Sequence, residues 1–129
     1  MEETISGLRS CAASSKYIIF DGAYLKEEAP EKNPYSNELR YYTETKKALT
    51  IHGDEIVKEI FVPDEESKQI NNRYTNLIRR RAAELSGKYP DNKNLFEEYV
   101  HKQEEESLHI EKYLAGCIWC IQKKNVIQT

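Results

Sequence analysis

A chain of 129 residues is long enough for one real core and too short for a second, so a single domain over 1–129 is expected. Charged residues make up 32% of it but nearly cancel, to a net charge of −3, which argues against a protein built to coat nucleic acid. No uncharged run approaches a membrane span, and the acidic start Met1-Glu2-Glu3 lacks the pattern of a secretory signal; a cytoplasmic protein with its three cysteines reduced is the expectation.

Residues 1–15 are small and polar and read as a flexible end. Tyr17-Ile18-Ile19-Phe20 reads as a short strand ended by an Asp21-Gly22 turn, with Tyr24 and Leu25 starting the return. Lys26 to Asn37, with two prolines, predicts a long loop whose ordering costs backbone entropy that something must repay. Alternation then predicts strands over Glu38–Thr43 and Ala48–Ile51. After the His52-Gly53-Asp54 turn comes Glu55–Val62, with Ile56, Ile60 and Val62 on one face and Val57 and Phe61 on the other. A strand apolar on both faces is expected to be central or covered by a helix.

Pro63 stops the sheet, and Asp64-Glu65-Glu66 suits the positive end of a helix that runs over 64–87 with Gly87 as its C-terminal cap. Its apolar stripe is Ile70, Tyr74, Leu77, Ile78 and Leu85. Beyond the Tyr89-Pro90-Asp91 break, helical spacing continues over 92–123 through Leu95, Phe96, Tyr99, Val100, Ile110, Leu114, Cys117, Ile118 and Ile121. A helix of that length is a rod of roughly 48 Å, longer than the ~36 Å diameter of a compact domain of this size. It must bend, fray or be covered by another subunit. The fold class is therefore α+β: an N-terminal antiparallel meander of about four strands over 16–62, then two antiparallel helices, the second long.

Arg81 falls at the centre of the first helix's stripe, between Leu77 and Leu85. A guanidinium there needs a partner, either an anionic ligand or Glu106 of the next helix. Arg40 and Tyr42 on the sheet, with Tyr74 on the helix, could join Arg81 around a nucleotide-like anion. Arg73, Arg79, Arg80 and Lys88 form the main basic cluster, but only Arg73 and Arg80 share a face. Cys117-Ile118-Trp119-Cys120 is a lone CxxC without the second ligand pair that zinc requires, and it lies far from the helix N-terminus that activates redox thiols. His52 sits at a turn, while His101 and His109 are too far apart on one helix to share a metal. Leu108, Ala115 and Trp119 form a minor second face of the long helix and mark an oligomer interface, with Trp119 as its anchor.

These features point to a non-catalytic, homo-oligomeric binding or regulatory protein that holds an anionic small ligand or a protein partner between sheet and helices. No cofactor or metal is implied. The Lys-, Asn-, Ile- and Tyr-rich composition resembles that of small accessory proteins from AT-rich microbial or viral genomes. The alternatives are a nucleic-acid-binding regulator using the basic first helix, and a small enzyme whose site is not visible in sequence.

Overall fold

The structure is a computed structural model and describes residues 1–11 and 16–124. In chain order its elements are α1 (Glu2–Cys11), β1 (Tyr17–Leu25), α2 (Tyr42–Leu49), β2 (Glu55–Phe61), α3 (Asp64–Lys88), a 3-10 turn (Pro90–Asn92), α4 (Lys93–Tyr113) and β3 (Leu114–Gln122). The class is α+β. The chain divides into two compact units: Met1–Val62 with the residues from Leu114 onward, and Pro63–Tyr113.

The first unit is a three-stranded antiparallel sheet in the order β1-β3-β2. Its centre is β3, a segment whose apolar spacing predicts the end of a long helix. Both periods fit there: Ile110, Leu114, Cys117, Ile118 and Ile121 are spaced for a helix, while Cys117, Trp119 and Ile121 alternate as in a strand. Alternation wins because those three side chains are all buried on one sheet face, with Ile18 of β1 and Ile56 of β2 opposite Ile121. The 92–123 helix thus ends at Tyr113, and the 48 Å rod does not exist.

β1 runs straight through Asp21-Gly22, where a turn is predicted, because Gly22 sits directly opposite Cys117 beneath two aromatic rings. The bulge between Ile56 and Lys58 shifts the register of β2. Ile56, Glu59 and Phe61 then share the sheet face of Ile121, Trp119 and Cys117, with Phe61 still half exposed, and Ile60 is on the opposite face. The expected Ile56/Ile60 face is therefore split, and β2 is an edge strand, not a central one. Gly53, at φ 84°, does make the predicted turn.

Two helices stand where strands or a flexible end are predicted. In α1, Met1, Ile5 and Leu8 recur at helical spacing and pack on the core, with acidic Glu2 and Glu3 at its start and Arg9 in its last turn. The remaining residues of the 1–15 segment, 12–15, lie outside the described residues. In α2, Thr45, Ala48 and Leu49 are buried at i, i+3 and i+4, so the predicted strands over 38–43 and 48–51 give way to a loop and one short helix. The 26–41 connection is held by its own polar atoms. Asn33 Nδ2 donates to the Pro30 carbonyl at 2.7 Å, Tyr41 Oη donates to the Ala29 carbonyl at 2.6 Å, and Ala29 itself is buried.

The second unit is a helical hairpin inserted between the paired neighbours β2 and β3. Val62 N donates to the Gly116 carbonyl at 3.0 Å where the chain leaves the sheet. α3 ends at Lys88 without a left-handed glycine, so Gly87 lies inside the helix and does not cap it. Thr75 Oγ1 and Ser107 Oγ, 3.4 Å apart, and Arg79 Nε donating to Glu104 Oε1 at 3.0 Å fix α3 antiparallel to α4. No helix among the described residues is long and apolar enough to cross a membrane.

Candidate functional site

Three features could carry function, two in the first unit and one in the second. The first is a half-buried polar network built on Glu59. Facing Trp119 across the sheet, its carboxylate accepts Trp119 Nε1–H at 3.1 Å and the Tyr42 hydroxyl at 2.6 and 2.7 Å, and it pairs with Lys46 Nζ at 3.5 Å. Lys46 also stacks over the Tyr42 ring. Burial opposes the negative charge, but the hydrogen bonds from Tyr42 and Trp119 and the nearby Lys46 outweigh it and hold the Glu59 carboxyl below its ordinary range. Burial and donation to Glu59 push the Tyr42 hydroxyl up. The Cys117 thiol is also pushed up, first by burial and then by the Glu59 charge. Tyr24 and Phe61 tilt against Tyr42, enclosing the network in aromatic rings. Its acceptors and donors answer one another, so it locks β2 and α2 to β3.

A second cluster joins α1 to the turn before β2. The Asp54 side chain is fully buried and takes two bonds from Arg9, Nε at 2.6 Å and Nη2 at 3.1 Å, plus the Lys124 amide at 3.0 Å. Burial alone would raise the Asp54 carboxyl; those three donors keep it depressed. On the outer side of Arg9 opens a cleft of about 390 Å³ lined by Ser6, Arg9, Ser10, His52 and Lys123. Ser6 Oγ and His52 Nε2 lie 2.9 Å apart across it. By local pattern His52 and Asp54 belong only to a turn and Arg9 to a flexible end. The one available signal was Asp54 next to the strand start, a carboxylate that β2 pulls inward.

The third feature is the hairpin's outer surface. Its seam is made of Asn71, Thr75, Ile78 and Ala82 against Phe96, Val100, Gln103 and Ser107, and of these only Thr75 is fully buried. Asn71 Nδ2 is enclosed in it with no hydrogen-bond partner among the described residues. At ~100° per residue, Ile70, Tyr74 and Leu77 lie roughly 70–130° to one side of that seam, and Leu95 and Tyr99 lie roughly 70–110° to the same rotational side on α4. In an antiparallel pair, equal rotational sense means the same side of the hairpin. The Arg79–Glu104 bond sits on the other side, as this geometry requires. All five apolar side chains are exposed, from 40% for Ile70 to 63% for Leu95.

The sequence-predicted site residues do not share one unit. Arg40 and Tyr42 belong to the first; Tyr42 is engaged by Glu59, and Arg40 is exposed at the rim of a shallow depression with Glu44 and Lys47. Tyr74 and Arg81 belong to the second unit and are exposed. Arg81 is not buried in a stripe, because that stripe faces solvent, and its partner is Glu84 at 3.1 Å, not Glu106. Of the basic cluster, Arg79 is held by Glu104 and Asn76. The proposed interface face dissolves as well. Leu108 is exposed on α4, but Ala115 and Trp119 are in β3, and Trp119 is wholly buried, so it cannot anchor a partner. Cys117 and Cys120 lie on opposite faces of β3 as free thiols.

No protein-family model, curated protein or solved structure matches this chain.

Proposed function

We propose that the protein is a non-catalytic binding and regulatory protein that works as a homo-oligomer, assembled through its α3–α4 hairpin. The observation behind this reading is the exposed stripe of Ile70, Tyr74, Leu77, Leu95 and Tyr99 along one side of a hairpin whose own seam is half polar. A two-helix hairpin cannot bury an amphipathic face by itself, and helical stability in water comes mainly from packing such a face. A patch contributed by both helices usually marks a partner surface.

A second copy fits that surface by charge. α3 carries six basic against four acidic side chains, a net +2, and α4 three against six, a net −3. A two-fold pairing that lays α3 of one copy over α4 of the other sets opposite charges around an apolar centre and completes a four-helix bundle. In the same arc as the stripe the charged residues are Arg81 and Lys88 of α3 and Lys102 and Glu106 of α4, so the charge match lies in the helices as wholes and not in the stripe alone. The basic face of α3 is thereby a steering surface for α4 and not a nucleic-acid surface.

Sedimentation velocity on the untagged chain tests the reading. A dimer is expected at micromolar concentration. Leu77→Lys with Tyr99→Lys, both at exposed positions, should give a folded monomer at the same concentration. A wild-type chain that stays monomeric up to hundreds of micromolar would sink the proposal.

A further inference from the structure

We infer that the free edge of β1 is a docking site for an extended segment of another protein, added to the sheet as a fourth strand. This names a partner for the binding-protein reading and rests on it, but it does not depend on self-association.

The backbone sets the kind of occupant. In an antiparallel ladder, successive residues turn their amide and carbonyl alternately toward the paired strand and away from it. The Lys16 carbonyl accepts from Lys123 N at 2.7 Å, on the β3 side, while Leu25 N donates to the Arg40 carbonyl at 2.8 Å, on the other side. The register with β3 is unbroken from Tyr17 to Leu25 in a sheet ordered β1-β3-β2, so the amides and carbonyls of Ile19, Asp21 and Ala23 point out from the edge. Such a row of donors and acceptors is complemented by another extended chain. The protein itself begins one. At Leu25 the loop supplies a single parallel bridge through Tyr41, and α2 then takes the chain away from Tyr42 onward. The open place starts where that stub ends. The opposite edge of the sheet is guarded: β2 carries a bulge between Ile56 and Lys58 and the charges of Glu55, Lys58 and Glu59, which discourage strand addition. β1 has no bulge, and its single charged residue is Asp21.

The side chains set the occupant's chemistry. Ile19 and Asp21 share the sheet face away from the core. At 74%, Ile19 has the greatest exposure of any large apolar side chain among the described residues. Asp21 is also exposed, with no ion pair among the described residues. Opposite charges and apolar pairs stabilise neighbouring strands. The added segment therefore carries a lysine or arginine beside Asp21 and, two residues away, a β-branched apolar residue beside Ile19. The β1 of a second copy does not meet that demand, because Tyr17–Leu25 contains no basic residue.

The test is a titration of the full ¹⁵N-labelled chain with a blocked octapeptide of threonine carrying one lysine and, two residues on, one valine. Before peptide is added, the amides of Ile19, Asp21 and Ala23 should exchange with solvent much faster than those of Phe20 and Gly22. The peptide should shift and protect those three amides saturably. Glutamate in place of its lysine should weaken binding by about fivefold. N-methylation of its lysine and valine should abolish binding, and Asp21→Lys should reverse the preference between the lysine and glutamate peptides. Shifts that stay linear, shifts that the N-methylated peptide reproduces, or a preference that Asp21→Lys leaves unchanged would overturn the inference. So would three amides already as slow as that of Phe20, because the edge would then be covered. Amides that slow only when the chain alone is concentrated would also overturn it, because the occupant would then be a second β1. Sedimentation of the same samples separates the two proposals: saturable binding to a monomer removes the assembly reading and leaves the edge, while a dimer without peptide binding does the reverse.

Discussion

The hairpin is poorer in apolar and richer in charged residues than the sheet unit, 15 and 20 of 51 against 35 and 21 of 78, and the two units treat the apolar side chains they have in opposite ways. In the sheet unit, Ile5, Leu49, Cys117, Trp119 and Ile121 are fully enclosed, and the charged Asp54 is buried with its partners in place. In the hairpin, Thr75 alone is buried, while Tyr74, Leu77, Leu95 and Tyr99 are each more than half exposed. A three-stranded sheet with two helices on one face can close around a core. Two helices touching along one line cannot, because each presents its neighbour with only a narrow stripe. The lesson is that an apolar stripe in a sequence shows that something will be covered, but not by what.

That contrast predicts the largest effect. Trp119→Ala removes the centre of the sheet unit's core, its contacts with Phe20 and Tyr24 and the indole donor to Glu59, and should cost ~3–5 kcal/mol in urea unfolding. Leu108→Ala, at 65% exposure on α4, should change stability by less than ~0.5 kcal/mol. Because Trp119 is the chain's single tryptophan, wild-type fluorescence reports the sheet unit, and circular dichroism reports the helices. Similar losses for both variants would mean that the two units do not differ as described.

The contrast in charge comes next. Asp54→Asn leaves Arg9 facing a neutral amide in a buried site and should destabilise the sheet unit by roughly 3 kcal/mol at neutral pH. Glu104→Gln, which breaks the half-exposed pair with Arg79, should cost less than ~1 kcal/mol. The pH dependence follows in sign. The carboxyls of Asp54 and Glu59 are depressed in the folded state. Their contribution is therefore complete above the unfolded values of about 3.9 and 4.3 and is lost as pH falls through the lower folded values. The gap in melting temperature between wild type and Asp54→Asn should narrow steadily below about pH 4. A gap that stays constant to pH 2 would show that Asp54 is not held as an anion.

How much of this was legible in the sequence varies with how many periods a segment satisfies. α3 and the break at Pro90 stand out because only a helical period fits 64–88 and proline punctuates its end. β3 was hidden because Leu114 to Gln122 satisfies both periods, and only the partner strands decide between them. α2 was hidden for the opposite reason: at Tyr42–Leu49 a short helix with three buried residues leaves an alternation-like trace. The candidate sites were least legible. Arg9 meets Asp54 across 45 residues and Glu59 meets Trp119 across 60, and no local pattern announces a pair so distant. Glu59 left the nearest clue, a carboxylate in step with Val57 and Phe61 on an otherwise apolar face, although the bulge then turned Val57 out of that series.

Two glycines sharpen the comparison at its smallest scale. A Cβ on Gly22 would come within 2.6 Å of Phe20 Cε1 and 3.2 Å of Trp119 Cζ3. Trp119 is enclosed and Phe20, partly buried, packs on it, so the Phe20 ring must shift off its partner, and Gly22→Ala should cost ~1–3 kcal/mol. A Cβ on Gly87, near the end of α3, would meet nothing within 4 Å. Its backbone is already helical, so alanine there removes freedom only from the unfolded chain and should stabilise the hairpin by ~0.5–1 kcal/mol. Opposite signs for the same substitution, read by fluorescence for Gly22 and by helix signal for Gly87, are what a tight sheet core and an open hairpin require. If Gly87→Ala were destabilising, the surface around Ser86 and Lys93 would have to be covered, and the hairpin's bare side would need to be drawn elsewhere.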